Sequence, residues 1–109
     1  MSLPSEVEIL EFPDDMMTKA RTAADLLKAL GHEHRLLIMC LLADGELSVG
    51  QLNEQVPLTQ SALSQHLAVL RRDGLVQTRR DAQTVYYSAQ PGPAAEIIAV
   101  LHRTYCGHA

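Results

Sequence analysis

The chain has 109 residues, a formal net charge of −4 and 47% hydrophobic residues, which is room for one domain and one modest core. The longest uninterrupted apolar run, Leu36 to Ala43, is far below the ~20 residues that span a bilayer. The first fifteen residues carry five acids and no base, unlike the basic start of a secretory signal. A cytoplasmic protein is expected, in which Cys40 and Cys106, the only two cysteines, would rest as thiols rather than as a permanent structural disulfide.

Residues 1–13 contain Pro4 and Pro13 without a clear period and read as a flexible arm. Residues 14–109 read as the folded domain. A first helix should start at Asp14 or Asp15, carry the stripe Met16, Met17, Ala20, Ala23, Ala24, Leu27 and Leu30, and stop at Gly31. A second, from Glu33 to Ala43, is apolar almost all round and should be buried. Ser48 and Gln51 form a capping box for a short third helix that ends near Val56-Pro57, with Leu47 and Leu52 at staple positions. Thr59 caps a fourth, Gln60 to about Arg72, closed by Asp73-Gly74.

The period then changes. Leu75–Arg80 and Thr84–Ser88, joined by Asp81-Ala82-Gln83, are rich in β-branched and aromatic residues and read as a hairpin. Pro91-Gly92-Pro93 breaks the chain before a last helix carrying Ala94, Ile97, Ile98, Leu101 and Tyr105. The fold expected is a mostly α winged helix-turn-helix, ordered α-α-α-α-β-β-α.

Two helices joined by a tight turn, the second followed by a basic hairpin, suit the major groove and its flanks. Charge is distributed accordingly. Residues 1–30 hold Glu6, Glu8, Glu11, Asp14, Asp15 and Asp25 against Lys19, Arg21 and Lys28, while residues 59–88 hold Arg71, Arg72, Arg79 and Arg80 against Asp73 and Asp81. With Ala62, Leu63, Leu67 and Leu70 facing the core, Gln60, Ser61, Ser64 and Gln65 project outward, where Gln can read adenine and Ser can meet phosphate or base. Arg71 is assigned to phosphate, and Arg79, Arg80, Gln83 and Thr84 of the wing to the adjacent backbone or minor groove. Strand alternation can send Arg79 and Arg80 to opposite faces, leaving one of them for DNA. His66 is a further contact candidate, set against a part-buried histidine bonded to backbone. Tyr86 and Tyr87 are expected to pack the wing.

The run Thr59-Gln60-Ser61-Ala62-Leu63-Ser64-Gln65-His66-Leu67, followed by Leu70-Arg71-Arg72-Asp73-Gly74-Leu75-Val76, resembles the recognition helix of the ArsR/SmtB family of bacterial repressors. Ala29-Leu30-Gly31-His32-Glu33-His34-Arg35-Leu36 resembles the start of that family's second helix. The resemblance covers roughly residues 20 to 106. It implies a homodimer built on the first and last helices that binds an inverted-repeat operator and represses transcription. The metal sites familiar in such proteins are missing: Ser48 and Gly50 stand where a Cys-x-Cys pair is needed, Ala89 and Pro91 offer no ligands, and Tyr105 follows His102 where a ligand is required. A non-standard site from His102, Cys106, His108, His32 and His34 stays open as an alternative, as does a winged helix that binds only protein.

Cys40 within Arg35–Leu42, Cys106 within Leu101–Cys106, and Arg80-Asp81-Ala82-Gln83-Thr84-Val85-Tyr86-Tyr87 together resemble the HlyU, BigR and SqrR branch. That resemblance implies that Cys40 and Cys106 are a redox switch, bridged by a disulfide or polysulfide in response to persulfide or oxidant, which weakens DNA binding. The competing reading is that Cys40 merely fills core space. No cofactor is expected and no enzymatic motif is present: there is no nucleophile elbow, phosphate loop or paired-carboxylate signature.

Overall fold

The computed structural model describes residues 14–106. The expected arm at 1–13, and His108, lie outside the described residues. The elements are α1 (Asp14–Leu30), α2 (Glu33–Ala43), β1 (Leu47–Ser48), α3 (Val49–Gln55), α4 (Gln60–Arg72), β2 (Val76–Asp81), β3 (Thr84–Ala89) and α5 (Pro93–Tyr105). The winged helix-turn-helix is as expected, with one addition. Leu47 and Ser48 pair with Tyr87 and Tyr86, so the wing is a three-stranded antiparallel sheet ordered β1-β3-β2. A two-residue strand carries too little periodicity to stand out beside a strong helix cap.

The caps explain where the helices begin. Ser48 Oγ accepts from the Gln51 N–H at 3.1 Å and Gln51 Oε1 accepts from the Ser48 N–H at 2.8 Å, completing the box that starts α3. Thr59 Oγ1 accepts from the Ala62 N–H at 3.1 Å at the head of α4. The same helix ends in a Schellman closure, in which the Gly74 N–H donates to Arg71 O and the Leu75 N–H to Leu70 O. Gly74 sits there at φ +74°, a left-handed backbone that glycine adopts without steric cost. At the head of α2 the cap is a histidine, His32, whose Nδ1 accepts from the His34 N–H at 3.2 Å.

One core holds these elements together. Ile38 and Met39 of α2, Leu52 of α3, Leu63, Leu67 and Leu70 of α4, and Ile98 of α5 are all essentially inaccessible to solvent. Leu75 and Val76 carry the core into the wing, where Tyr87 packs against it. Ala62, expected in this set, is only partly buried. The stripe expected on α1 divides. Of its members only Leu30 is buried, joined in the core by Ala29 from outside the stripe, while Met16, Met17, Ala20, Ala23, Ala24 and Leu27 are exposed, as are Val100 and Tyr105 of α5. These apolar side chains face outward from a single chain.

Because α4 carries core and surface on opposite sides, its start must be held. Thr59→Ala is expected to lower stability by about 1 kcal/mol, read as a drop in the denaturation midpoint at unchanged m-value. A loss near zero would mean that packing alone fixes the helix start.

Candidate DNA-binding surface and thiol pair

Burial of Leu63, Leu67 and Leu70 orients α4, and the opposite side follows from the helical period. Gln60, Ser61, Ser64, Gln65 and Arg71 are all exposed, on one helix. Ser64, Ala68, Arg71, Arg72 and Tyr87 line a shallow groove between this helix and the wing. Arg72 turns to Asp73, with Nε 3.2 Å from Oδ1.

The two wing arginines differ. Arg79 reaches back to Glu46, its Nε donating to Oε2 at 2.9 Å and its terminal nitrogen to Oε1 at 2.7 Å. Its guanidinium lies 4.5 Å from the ring centre of Tyr86, its cross-strand neighbour. The Arg79 hydrogen bond holds the Glu46 carboxyl below its usual range, and Glu46 in turn raises Arg79. Both groups are solvent-exposed, so this forked pair fixes orientation more than it adds stability. Arg80 is exposed and has no ion-pair partner among the described residues. At the wing tip Asp81 pairs with Thr84 across a two-residue turn, Ala82-Gln83, with Ala82 at φ +57° and Gln83 and Thr84 exposed. The strand thus runs one residue further into the tip than the sequence suggests.

His66 is half-buried, and its neighbours are rings. Its centroid lies 4.6 Å from that of His32 and 5.8 Å from that of His34. Among the described residues its side chain makes no hydrogen bond, so the expected backbone partner is absent. Desolvation, then the charges of His32, Arg35 and His34, lower its pKa and favour the neutral ring.

The thiols come from helices far apart along the chain. Cys40 is half-buried on α2, and Cys106 is exposed at the C-cap of α5, where its N–H donates to His102 O at 2.8 Å. The two helices pack against each other. Burial first, then the nearness and charge of Cys106, push the Cys40 thiol up, with Asp44 adding to the effect. His102, one turn before Cys106, brings Nε2 within 3.4 Å of the exposed Asp44 Oδ2 at the end of α2. Sequence reasoning singled out both cysteines but neither Glu46 nor Asp44. Each joins its partner across a long stretch of chain, and no local pattern announces such a pair.

The thiolate is the reactive form, and the raised Cys40 pKa keeps that residue protonated at neutral pH. Iodoacetamide should therefore label Cys106 well before Cys40. The Cys40 rate should climb by about tenfold per pH unit until pH passes its raised value. Peptide masses at timed quenches report both rates, and equal rates at neutral pH would contradict the asymmetry.

A family model described as the bacterial regulatory protein, arsR family, matches residues 32–78, the stretch from the α2 cap into β2. The transcriptional activator HlyU of Vibrio cholerae is 53% identical over 92 residues, 84% of this chain and 85% of that one. The biofilm growth-associated repressor of Xylella fastidiosa is 41% identical over 93 residues, 85% of this chain and 82% of that one. Among solved structures, reduced HlyU from Vibrio cholerae superposes with a TM-score of 0.82 at 52% identity, covering 87% of this chain and all (100%) of the other. The repressor BigR from Xylella fastidiosa gives 0.78 at 39% identity over 88% and 98%. No helix among the described residues is long and apolar enough to cross a membrane. The chain belongs to the ArsR family of bacterial regulatory proteins, winged-helix DNA-binding transcriptional regulators rather than enzymes.

Proposed function

We propose that this regulator is a cytoplasmic homodimeric repressor whose affinity for an inverted-repeat operator falls when Cys40 and Cys106 are joined by a disulfide or polysulfide bridge. The observation that carries this reading is the placement of the only two cysteines. They lie on two helices that pack against each other, close enough for Cys106 to raise the Cys40 thiol, one exposed and one shielded. Two thiols on separate elements, one accessible enough to react first and the other near enough to resolve it, are what a reversible switch needs.

The chemistry balances with a low-molecular-weight persulfide, RSSH, as inducer. Exposed Cys106 thiolate takes the outer sulfur and releases RSH, and a second transfer lengthens the chain to Cys106–S–S–SH. Cys40 then attacks the sulfur next to Cys106 Sγ and expels hydrosulfide. Two thiols and two RSSH give a trisulfide bridge, two RSH and one H2S. With peroxide, Cys106 is oxidised to a sulfenic acid with loss of water, and Cys40 displaces a second water to give the plain disulfide. A disulfide demands Cα atoms about 4.4–6.8 Å apart, and inserted sulfur relaxes that demand.

For DNA, the reading assigns Gln60, Ser61, Ser64 and Gln65 to the major groove and Arg71 to phosphate. Arg80, Gln83 and Thr84 go to the flanking backbone or minor groove. Arg79 acts as the wing's internal brace, since its guanidinium is engaged by Glu46. His66 lies beside this surface without a base contact assigned to it. The outward apolar residues Met16, Met17, Leu27, Val100 and Tyr105 suit a second copy of the chain, as do Leu26, Pro93 and Ile97, which line an apolar groove between α1 and α5. A two-fold dimer can set two recognition helices about one DNA turn, ~34 Å, apart.

The test treats reduced, metal-free protein with glutathione persulfide or hydrogen peroxide, followed by intact mass and peptide mapping. The reading expects an internal Cys40–Cys106 link, carrying extra sulfur after persulfide, and none in Cys106→Ser. If neither reagent joins the two cysteines, the switch is wrong and only the DNA-binding regulator remains.

A further inference from the structure

The turn between α1 and α2 and the middle of α4 bring three imidazoles together. His32 caps α2, His34 lies in its first turn, and His66 projects from α4. One ligating atom from each lies within 4.8 Å of the other two, and all three residues are half-buried. Their ring centroids are 4.6, 5.5 and 5.8 Å apart. Among the described residues this is the one group of three or more potential ligands so gathered. His102 and Cys106 are not part of it.

The geometry points to a binding site for a borderline divalent transition-metal ion of the zinc type, held by His32, His34 and His66, that ties the head of α2 to the recognition helix. Three neutral imidazoles are a common donor set for such ions, with water in the fourth position. Zinc–nitrogen bonds of about 2.0–2.1 Å at tetrahedral angles place ligand nitrogens roughly 3.3 Å apart. Ligand atoms up to 4.8 Å apart therefore have to close by up to about 1.5 Å on binding. The site differs from the cysteine pair in donors as well as in place, and it does not depend on the thiol switch.

Two local features shape binding. The nearby charge of Arg35 works against a cation, so affinity must come from the three coordinate bonds, and an anion or hydroxide is favoured in the open position. The cap bond matters more. His32 Nδ1 now accepts from the His34 N–H, so in the neutral ring the proton sits on Nε2. Coordination through Nε2 moves that proton to Nδ1, and coordination through Nδ1 uses the same lone pair. Either way the α2 cap bond is surrendered when the ion binds, and the His34 amide reports occupancy.

The experiment is a titration of intact, reduced protein with Co(II) and then Zn(II), followed by optical absorption and by the amide resonance of His34. One Co(II) per chain is expected, with ligand-field bands but no thiolate charge-transfer band, displaced by Zn(II), and with a shifted His34 amide. His66→Ala and His34→Ala should each weaken binding at least about tenfold, the low end for loss of even an outer-shell partner, and Cys106→Ser should leave it unchanged. His66→Gln, whose metal-free melting curve checks the fold, should weaken binding equally. A thiolate band, dependence on Cys106, binding indifferent to His34 and His66, or no binding would each overturn the site.

Discussion

The burial of α2 is the constraint on which the rest of this structure depends. Ile38 and Met39 have no solvent exposure, and the helix packs against α1, α4, α5 and β3. A helix enclosed on several sides at close-packed density cannot move alone, because displacing it opens voids against every neighbour. The recognition helix α4, the wing through β3, and the two helices with outward apolar faces are thus all referred to one rigid element. Cys40, on this helix, therefore sits where a new covalent bond would be felt by the whole domain.

Under the proposed switch, that placement would connect chemistry to DNA affinity without a long chain of intermediates. Cys106 ends α5, and α5 already meets the end of α2 through His102 and Asp44. A bridge would lock the same two helices at a second point. Under the proposed dimer, α5 also borders the partner, so a change in the α2–α5 contact becomes a change in the angle between two protomers. Interfaces of packed helices respond to such shifts by discrete repacking rather than smooth bending, and operator half-sites at fixed spacing are intolerant of it. The Glu46–Arg79–Tyr86 brace plays a supporting part by tying the wing to the loop that follows α2.

Much of this was legible in the sequence because its signals are local. The Ser48–Gln51 box, the Thr59 cap, the Asp73-Gly74 stop and the change of period after Leu75 each lie within a few residues, and the helices start and end where those signals stand. The outward set Gln60, Ser61, Ser64 and Gln65 followed from giving Ala62, Leu63, Leu67 and Leu70 to the core, of which Ala62 is only partly buried. What escaped was non-local: Glu46 with Arg79, Asp44 with His102, and His66 with His32 and His34. These pairs are set by how elements pack, and composition does not encode that. The α1 stripe was visible as a period, but a period does not say whether its partner is the same chain. Met16, Met17 and Leu27 are exposed, and of that stripe Leu30 alone is buried in the core.

The central claim is that bonding α2 to α5 lowers operator affinity, and one measurement addresses it directly. Fluorescence anisotropy with a labelled operator, at one fixed salt concentration, compares reduced protein with protein bridged between Cys40 and Cys106. The account predicts a loss of about tenfold or more, equivalent to about 1.4 kcal/mol of binding free energy, reversed by dithiothreitol and absent when Cys106→Ser receives the same treatment. Equal affinity of the reduced and bridged forms would contradict it, leaving the two thiols as neighbours without a regulatory role.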